Sequence, residues 1–181
     1  MPVTEITKTD APHAIAIRPF AETDSISELT KLLHRAYGSL ADMGLRYRAT
    51  HQDDDVTRQR VAEGNCFVAV MDGIIKGTIV LKKAGQTKGC PWYDRPGVAS
   101  IGQFAVEPTL QANGLGRRLM TVAEKQAAAS GAVEIALDTA EPATHLVDWY
   151  TRLGYRFIEH TQWEHTNYRS VIMSKPVVAH S

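Results

Sequence analysis

Apolar positions along the chain change period several times, and each change marks an element. Residues 14–18 alternate as a short strand does, and Pro19, with no N–H to give a ladder, keeps that strand off the centre of a sheet. Ile26, Leu29, Leu32, Leu33 and Tyr37 then recur three and four apart, the stripe of an amphipathic helix that Asp24 caps and Gly38 ends. Residues 39–50 keep no clean period yet carry Met43, Leu45 and Tyr47, which predicts a loop or partial helix laid on the core, a wall of an acceptor pocket, or both. Asp53, Asp54 and Asp55 open another helical pattern through Val56, Gln59, Arg60 and Glu63, where carboxylates satisfy open N–H groups at the positive end of the dipole. A calcium loop would need a glycine and a terminal glutamate that this run lacks.

Residues 66–71 and 74–81 are nearly continuous apolar runs separated by Asp72 and Gly73. Asp-Gly at that place predicts a two-residue hairpin, because both turn positions need positive φ. Residues 82–97, rich in Gly, Lys and Pro with Trp92 and Tyr93 near the tip, read as a loop. A strand over 99–106, a helix over 114–130 and a strand over 133–137 form a βαβ unit with parallel strands; Leu115, Leu119, Val122, Ala123 and Gln126 or Ala127 are the inner face of its helix. A last helix over 143–153, closed by Gly154 in the C′ position, precedes strands over 155–161 and 168–174. The expected order is β-α-α-β-β-β-α-β-α-β-β, with no internal repeat.

With 181 residues and no Pro/Gly/Ser-rich linker, the chain is expected to form one domain behind a frayed start at residues 1–13. Its 20 basic and 20 acidic residues cancel and no basic run gathers, so there is no electrostatic footprint for nucleic acid or an anionic membrane. A small partner is expected. No stretch approaches the ~18 apolar residues of a membrane span, and the first residues lack the apolar core of a signal peptide. Cys66 and Cys90 stand far apart, outside any Cys-x-x-Cys spacing, which fits reduced thiols and a cytoplasmic protein. The histidines lack the helical His-x-x-x-His spacing of a zinc site, and no metal is expected.

Candidate chemistry concentrates in Gln111-Ala112-Asn113-Gly114-Leu115-Gly116, where the strand of the βαβ unit hands over to its helix. Two glycines there let backbone N–H groups face an anion with no Cβ in the way. A P-loop would follow its last glycine with Lys and Ser or Thr, but Gly116 is followed by Arg117 and Arg118. A dinucleotide fingerprint would place a small residue where Leu119 stands and would follow its strand more closely. Gln-x-x-Gly-x-Gly at a helix start fits a third pattern. Together with Gly102-Gln103-Phe104-Ala105-Val106-Glu107-Pro108 before it, and with Trp149-Tyr150-Thr151-Arg152-Leu153-Gly154-Tyr155, close to a Leu-Tyr-x-x-x-Gly-Phe form, it resembles the GNAT N-acetyltransferase superfamily. The resemblance spans about residues 15–175 in element order.

The resemblance implies an α/β (α+β) fold with a central mixed, mostly antiparallel sheet flanked by helices, its parallel pair splayed to admit acetyl-CoA. Gln111, Ala112, Asn113, Gly114, Leu115, Gly116 and Arg117 would bind the cofactor, the N–H groups from Ala112 onward facing its pyrophosphate. Arg117, Arg118 and Lys125 would lie on the outer side of the helix, near further phosphates or simply solvated. The backbones of Phe104, Ala105 and Val106 would meet the pantetheine arm as an added strand does, beside a bulge near residues 103–106. Tyr150 matches the tyrosine that stands near the CoA sulfur as general acid, although its register with Leu146 and Leu153 also suits the core.

Two positions depart from the family pattern. Where some members have a basic glutamate this chain has Ser100, so deprotonation would run through water or the amine would bind neutral. Where many have a pantetheine-binding asparagine it has Ala143, with Thr139 or Thr144 as substitutes. The implied activity is acetyl transfer to an amine of a small molecule or peptide by direct attack in a ternary complex, and a homodimer is compatible with it. The rival readings are a non-catalytic acyl-CoA sensor of the same fold and a nucleotide-binding module.

Overall fold

The computed structural model describes residues 14–178, so the expected frayed start lies outside the described residues. Among the described residues, strand β1 (Ala16–Pro19) pairs only with β2 (Asn65–Met71), at the sheet edge where its proline leaves no ladder bond unmade. Helix α1 (Ile26–Ala36) buries Leu29, Leu32 and Leu33 completely. Its cap is Ser25, whose hydroxyl accepts from the Glu28 N–H. Asp24, the expected cap, is instead held by the Arg18 guanidinium at 2.7 and 2.8 Å and by the Ala21 N–H. Gly38 does not stop the helical path: it takes no positive φ, Tyr37 closes α1, and a short helix α2 (Gly38–Asp42) follows directly. Helix α3 (Asp54–Ala62) starts as expected, with the Asp53 carboxylate accepting from the Val56 N–H at 2.9 Å.

β2 and β3 (Ile74–Lys82) form the hairpin, turning on Asp72 at φ 52° and Gly73 at φ 76°. β4 (Val98–Val106), helix α4 (Leu115–Ala129) and β5 (Glu134–Ala140) complete the βαβ unit, and β4 and β5 are parallel. Helix α5 (Thr144–Arg152), β6 (Arg156–Thr161) and β7 (Ser170–Pro176) follow. The seven strands lie in the order β1-β2-β3-β4-β5-β7-β6, antiparallel except at β4 and β5.

Helices cover both faces of the sheet. On one, Leu115, Leu119, Met120 and Ala123 of α4 and Tyr150 of α5 pack against Ala69, Ile79, Leu81, Ile101, Ile135 and Leu137. Met120, not Val122, completes the inner face of α4, because a helix lying over several strands buries a wider arc than a single stripe. On the other face, α1 packs Leu29, Leu32 and Leu33 near Ala105, and Val61 of α3 lies over Cys66, Val68 and Val80.

The parallel pair is short. Val98, Ala99 and Ser100 pair with Glu134, Ile135 and Ala136, after which the strands run on to Val106 and Ala140 without pairing to each other. Just past that point Gln103 takes φ 48°, and the β3–β4 register slips by one residue between Val80–Gly102 and Thr78–Ala105. The extra residue is a β-bulge, which bends its strand and ends pairing locally.

Leu119 is fully buried where α4 lies on the sheet. Leu119→Ala is expected to cost about 2–5 kcal/mol, read as a lower urea midpoint with an unchanged slope.

Candidate active site

A cleft of about 730 Å³ opens where β4 and β5 part and is lined from both faces of the sheet. On the α4 side lies the glycine loop. Gly114 caps α4 at φ 82° with no side chain taking the cap role, and Ala112 stands at φ 74°, uncommon for a residue with a Cβ. The N–H groups of Gly114, Leu115, Gly116 and Arg117 find no acceptor among the described residues. These are the open donors of a helix start, at the positive end of its dipole. The Gln111 amide donates to the Val106 carbonyl at 3.1 Å and ties the loop to the end of β4. A Cβ on Gly116 would lie 3.3 Å from the Phe104 ring and 3.4 Å from that of Trp149, two rings stacked at 5.9 Å.

Phe104, Ala105, Val106, Gln111, Ala112, Gly114, Gly116, Arg117 and Tyr150 all line the cleft. Asn113 and Leu115 do not: Asn113 is exposed outside it, and the Leu115 side chain is sealed in the core. Arg118 turns away to donate to the Ile15 carbonyl at 2.9 Å, since neighbouring helix residues project about 100° apart and Arg117 and Arg118 cannot serve one site.

Tyr150 belongs to both the core and the cleft. Its ring meets Trp149 and Tyr155 edge-on at 5.2 and 6.1 Å, and its hydroxyl has no hydrogen-bond partner among the described residues. Burial, reinforced by the phenols of Tyr37, Tyr47 and Tyr155, holds its pKa well above the ordinary phenol value. It is therefore protonated throughout the neutral range. Tyr37 donates to the Phe104 carbonyl at 2.8 Å, just past the bulge. The Tyr47 hydroxyl accepts from the Ala140 N–H at 2.9 Å and bonds the Thr139 hydroxyl at 2.8 Å. Thr139 is thus engaged, Thr144 lies outside the cleft, and Ala143 is fully buried against Leu40, Leu45 and Tyr168.

Neither Ser100 nor Glu107 reaches the cleft. The Ser100 hydroxyl is buried against that of Thr87, and Glu107 is paired with Arg35 at 2.7 and 3.1 Å. A carboxylate that sequence reasoning passed over does reach it. Asp138 follows the buried run Ile135, Ala136, Leu137, and strand alternation turns it to the face opposite α4. Its oxygens accept from the Tyr93 hydroxyl at 2.7 Å and the Trp163 indole at 3.1 Å, and the residue is otherwise open to the cleft. Surrounding protein raises its pKa above the usual carboxylate value, against the lowering effect of those two donors and of Arg60. A charge inside an apolar strand was the available signal.

Arg60, read as part of a helix pattern, also lines the cleft. Its guanidinium donates to the Gln52 side-chain oxygen at 2.8 Å; Gln52 donates in turn to Thr57 at 2.7 Å and to the Gln103 oxygen at 3.0 Å. Gln103 is almost wholly buried, with its own amide nitrogen unpartnered among the described residues. The chain of amides links the bulge to the arginine.

The acetyltransferase (GNAT) family model matches residues 26–155. The chain belongs to the GNAT acetyltransferase family. It is an N-acetyltransferase with the expected GNAT fold, a mixed seven-stranded sheet flanked by helices. S-(2-succino)cysteine N-acetyltransferase of Bacillus subtilis (strain 168) is 32% identical to it over 133 residues, covering 71% of this chain and 76% of the relative. The ribosomal-protein-S18-alanine N-acetyltransferase from Escherichia coli superposes with TM-score 0.68 at 14% identity, over 93% of this chain and 97% of that one. A GNAT family acetyltransferase from Elizabethkingia anophelis, solved with acetyl-CoA bound, superposes with TM-score 0.63 at 17% identity, over 90% and 98%. Likeness at these identities is of fold.

Among the described residues of this GNAT chain no helix is long and apolar enough to cross a membrane, and no group of three or more His, Cys, Asp or Glu is placed to hold a metal. Cys66 and Cys90 are free, buried and outside the cleft lining, and burial pushes each thiol up to about 11. Both should react with a thiol reagent at pH 7.5 at least ~10-fold more slowly in the native protein than in urea, since only the thiolate is reactive. The unfolded thiols ionise first, near ~8.5, so the stability present below that pH is lost as pH rises toward the folded value. Thermal midpoints from pH 7 to 11 should fall accordingly, and less in a Cys66→Ala variant.

Proposed function

We propose that this protein moves the acetyl group of acetyl-CoA to an amine of a small molecule or peptide, by direct attack in a ternary complex. One observation carries the reading: the start of α4, whose first N–H groups have no acceptor among the described residues, lines a cleft that the parting of β4 and β5 opens. Those donors suit a pyrophosphate, and a Cβ on Gly114 would have nothing within 4 Å, so the approach is clear. Beyond the bulge, Phe104, Ala105 and Val106 present to the gap a strand that β5 does not pair, the setting in which an amide-bearing pantetheine adds as a strand does. Arg117 is the cation nearest in sequence to the loop that also lines the cleft.

Acetyl-CoA, when bound, supplies an activated thioester. The chain holds it through the loop and the β4 edge, and keeps a phenol on the same cleft. Tyr150 stays protonated until charge develops on the departing sulfur, which it meets as hydrogen-bond donor and acid. With both thiols buried away from the cleft, attack by the amine itself is favoured over a cysteine-bound intermediate. The Bacillus subtilis relative is named for S-(2-succino)cysteine, an amine that carries carboxylates, and that compound belongs at the head of an acceptor panel.

CoA release should follow mixing of the protein with acetyl-CoA and at least one amine of a panel of amino acids, polyamines and peptides. Stabilisation by acetyl-CoA without release on any amine would favour the sensor reading; stabilisation by a nucleotide but not by CoA would favour the nucleotide module. Tyr150→Phe should lower kcat roughly 10²–10⁴-fold with acetyl-CoA affinity little changed, and unchanged turnover would remove the acid role. Gly116→Val should abolish the thermal shift given by acetyl-CoA, because its side chain meets the Phe104 and Trp149 rings and fills the loop.

A further inference from the structure

The half of the cleft opposite the glycine loop is charged, and holding acetyl-CoA through the loop and the β4 edge requires none of those charges. Arg60 reaches from α3 over β4, so that a Cβ on Gly102 would lie 3.6 Å from its guanidinium. One of its five N–H donors is spent on Gln52, and it has no carboxylate partner within ion-pair distance among the described residues. Burial, and then Arg48, which lines the same cleft, work against its charge. A half-buried guanidinium with free donors and no counter-ion is costly unless something anionic completes it. His165 adds no charge at neutral pH, since burial, Arg48 and Arg60 hold its pKa below the ordinary imidazole value. Against the two arginines stands one carboxylate, Asp138, fixed by Tyr93 and Trp163 and open to the cleft.

Two cations and one anion make a poor receptor for a plain ammonium or a polyamine, which would meet net positive charge. They suit a molecule with an ammonium for Asp138 and at least one carboxylate for Arg60, whose planar fork matches a carboxylate with two parallel bonds. We propose that the acceptor is a carboxylate-bearing amine, such as an amino acid, with Arg60 as the specificity-determining grip on its carboxylate and Asp138 as the catalytic base at its nitrogen. This rests on the acetyl-transfer reading. Asp138 takes one proton from the bound ammonium and gives it up to water; the nitrogen lone pair so freed forms the new bond to the carbonyl carbon, and the second N–H proton passes to the Asp138 carboxylate. The C–S bond breaks with its electron pair on sulfur, which takes the Tyr150 proton. Asp138 then gives its proton to water, and Tyr150 regains one.

Placement supports the division of labour. Asp138 and Arg60 lie on the α1–α3 face of the sheet, while the glycine loop and Tyr150 lie on the α4–α5 face, and the two meet only where β4 and β5 are unpaired. Attacking and departing groups would thus sit on opposite sides of the reacting carbon. The Arg60–Gln52–Gln103 chain ties the grip to the bulge that opens the gap.

The test uses the whole protein with acetyl-CoA and three amines, L-glutamate, S-carboxymethyl-L-cysteine and S-(2-succino)cysteine. Each is compared with its carboxamide form and with putrescine. At least one carboxylate form should exceed its carboxamide and putrescine by ten-fold or more in kcat/KM. Arg60→Gln should raise KM for that acceptor ten-fold or more and bring it within about three-fold of its carboxamide, with KM for acetyl-CoA unchanged; Arg60→Lys should fall between. Asp138→Asn should lower kcat a hundred-fold or more at pH 7.5 without changing the acetyl-CoA thermal shift, and recover part of it by pH 9.5 as the amine loses its own proton. Groups facing Asp138 are Tyr93, Trp163, Arg60 and His165, with Tyr37, Tyr47, Tyr150 and Tyr168 across the cleft. A shifted acetyl-CoA response in both Arg60 variants would mark them as folding defects and overturn the specificity role. Putrescine or carboxamides acetylated as well as the carboxylates, or Asp138→Asn at full turnover, would overturn the proposal and leave acetyl transfer standing. No CoA release with any amine despite an acetyl-CoA thermal shift would overturn both.

Discussion

The bulge at Gln103 lies where the sheet opens into the cleft. Without it β4 would continue its parallel ladder with β5 to Val106, and the sheet would be closed where the cleft now opens. Holding a non-glycine residue at φ 48° costs on the order of 1–3 kcal/mol, and the neighbouring structure keeps it there. The Gln103 side chain is bound by Gln52 in a buried site, and the next carbonyl, that of Phe104, is taken by the Tyr37 hydroxyl. Helix α1 thus braces the opened strand from one side while α4 supports it from the other through Leu115 and Leu119.

Opening the sheet creates a site with two unlike halves. One offers neutral donors, the bare N–H groups of a helix start, which stabilise an anion without carrying a full charge. The other offers full charges: Arg60, half-buried, with Arg48 and Asp138 open to the same cleft. Tyr150 stands at the seam, kept neutral by the burial that makes it part of the core. One side chain serves both core packing and cleft lining here, so its helical register alone does not separate the two.

The order of elements was legible because it rests on local rules: the Asp-Gly turn, the Asp53 cap, the apolar stripes of α1 and α4, the glycine loop. Local rules failed where a distant group intervened. Asp24 lost its cap role to Arg18, Gly38 was overrun by α2, and Arg118 was drawn to Ile15. Each of those outcomes depends on a partner that sequence spacing does not reveal.

Family, fold and the place of the glycine loop were legible in the chain alone, since strand and helix periods and two short segments are properties of neighbouring residues. Which charges share the cleft follows from the folded arrangement. Arg60, Asp138, Tyr93 and Trp163 come from α3, β5 and two separate loops, and their meeting is fixed by how strands β4 to β7 are ordered and where β4 bends. Contacts between residues far apart in the chain carry no local signature, so the charged half of the cleft became visible only in the folded molecule.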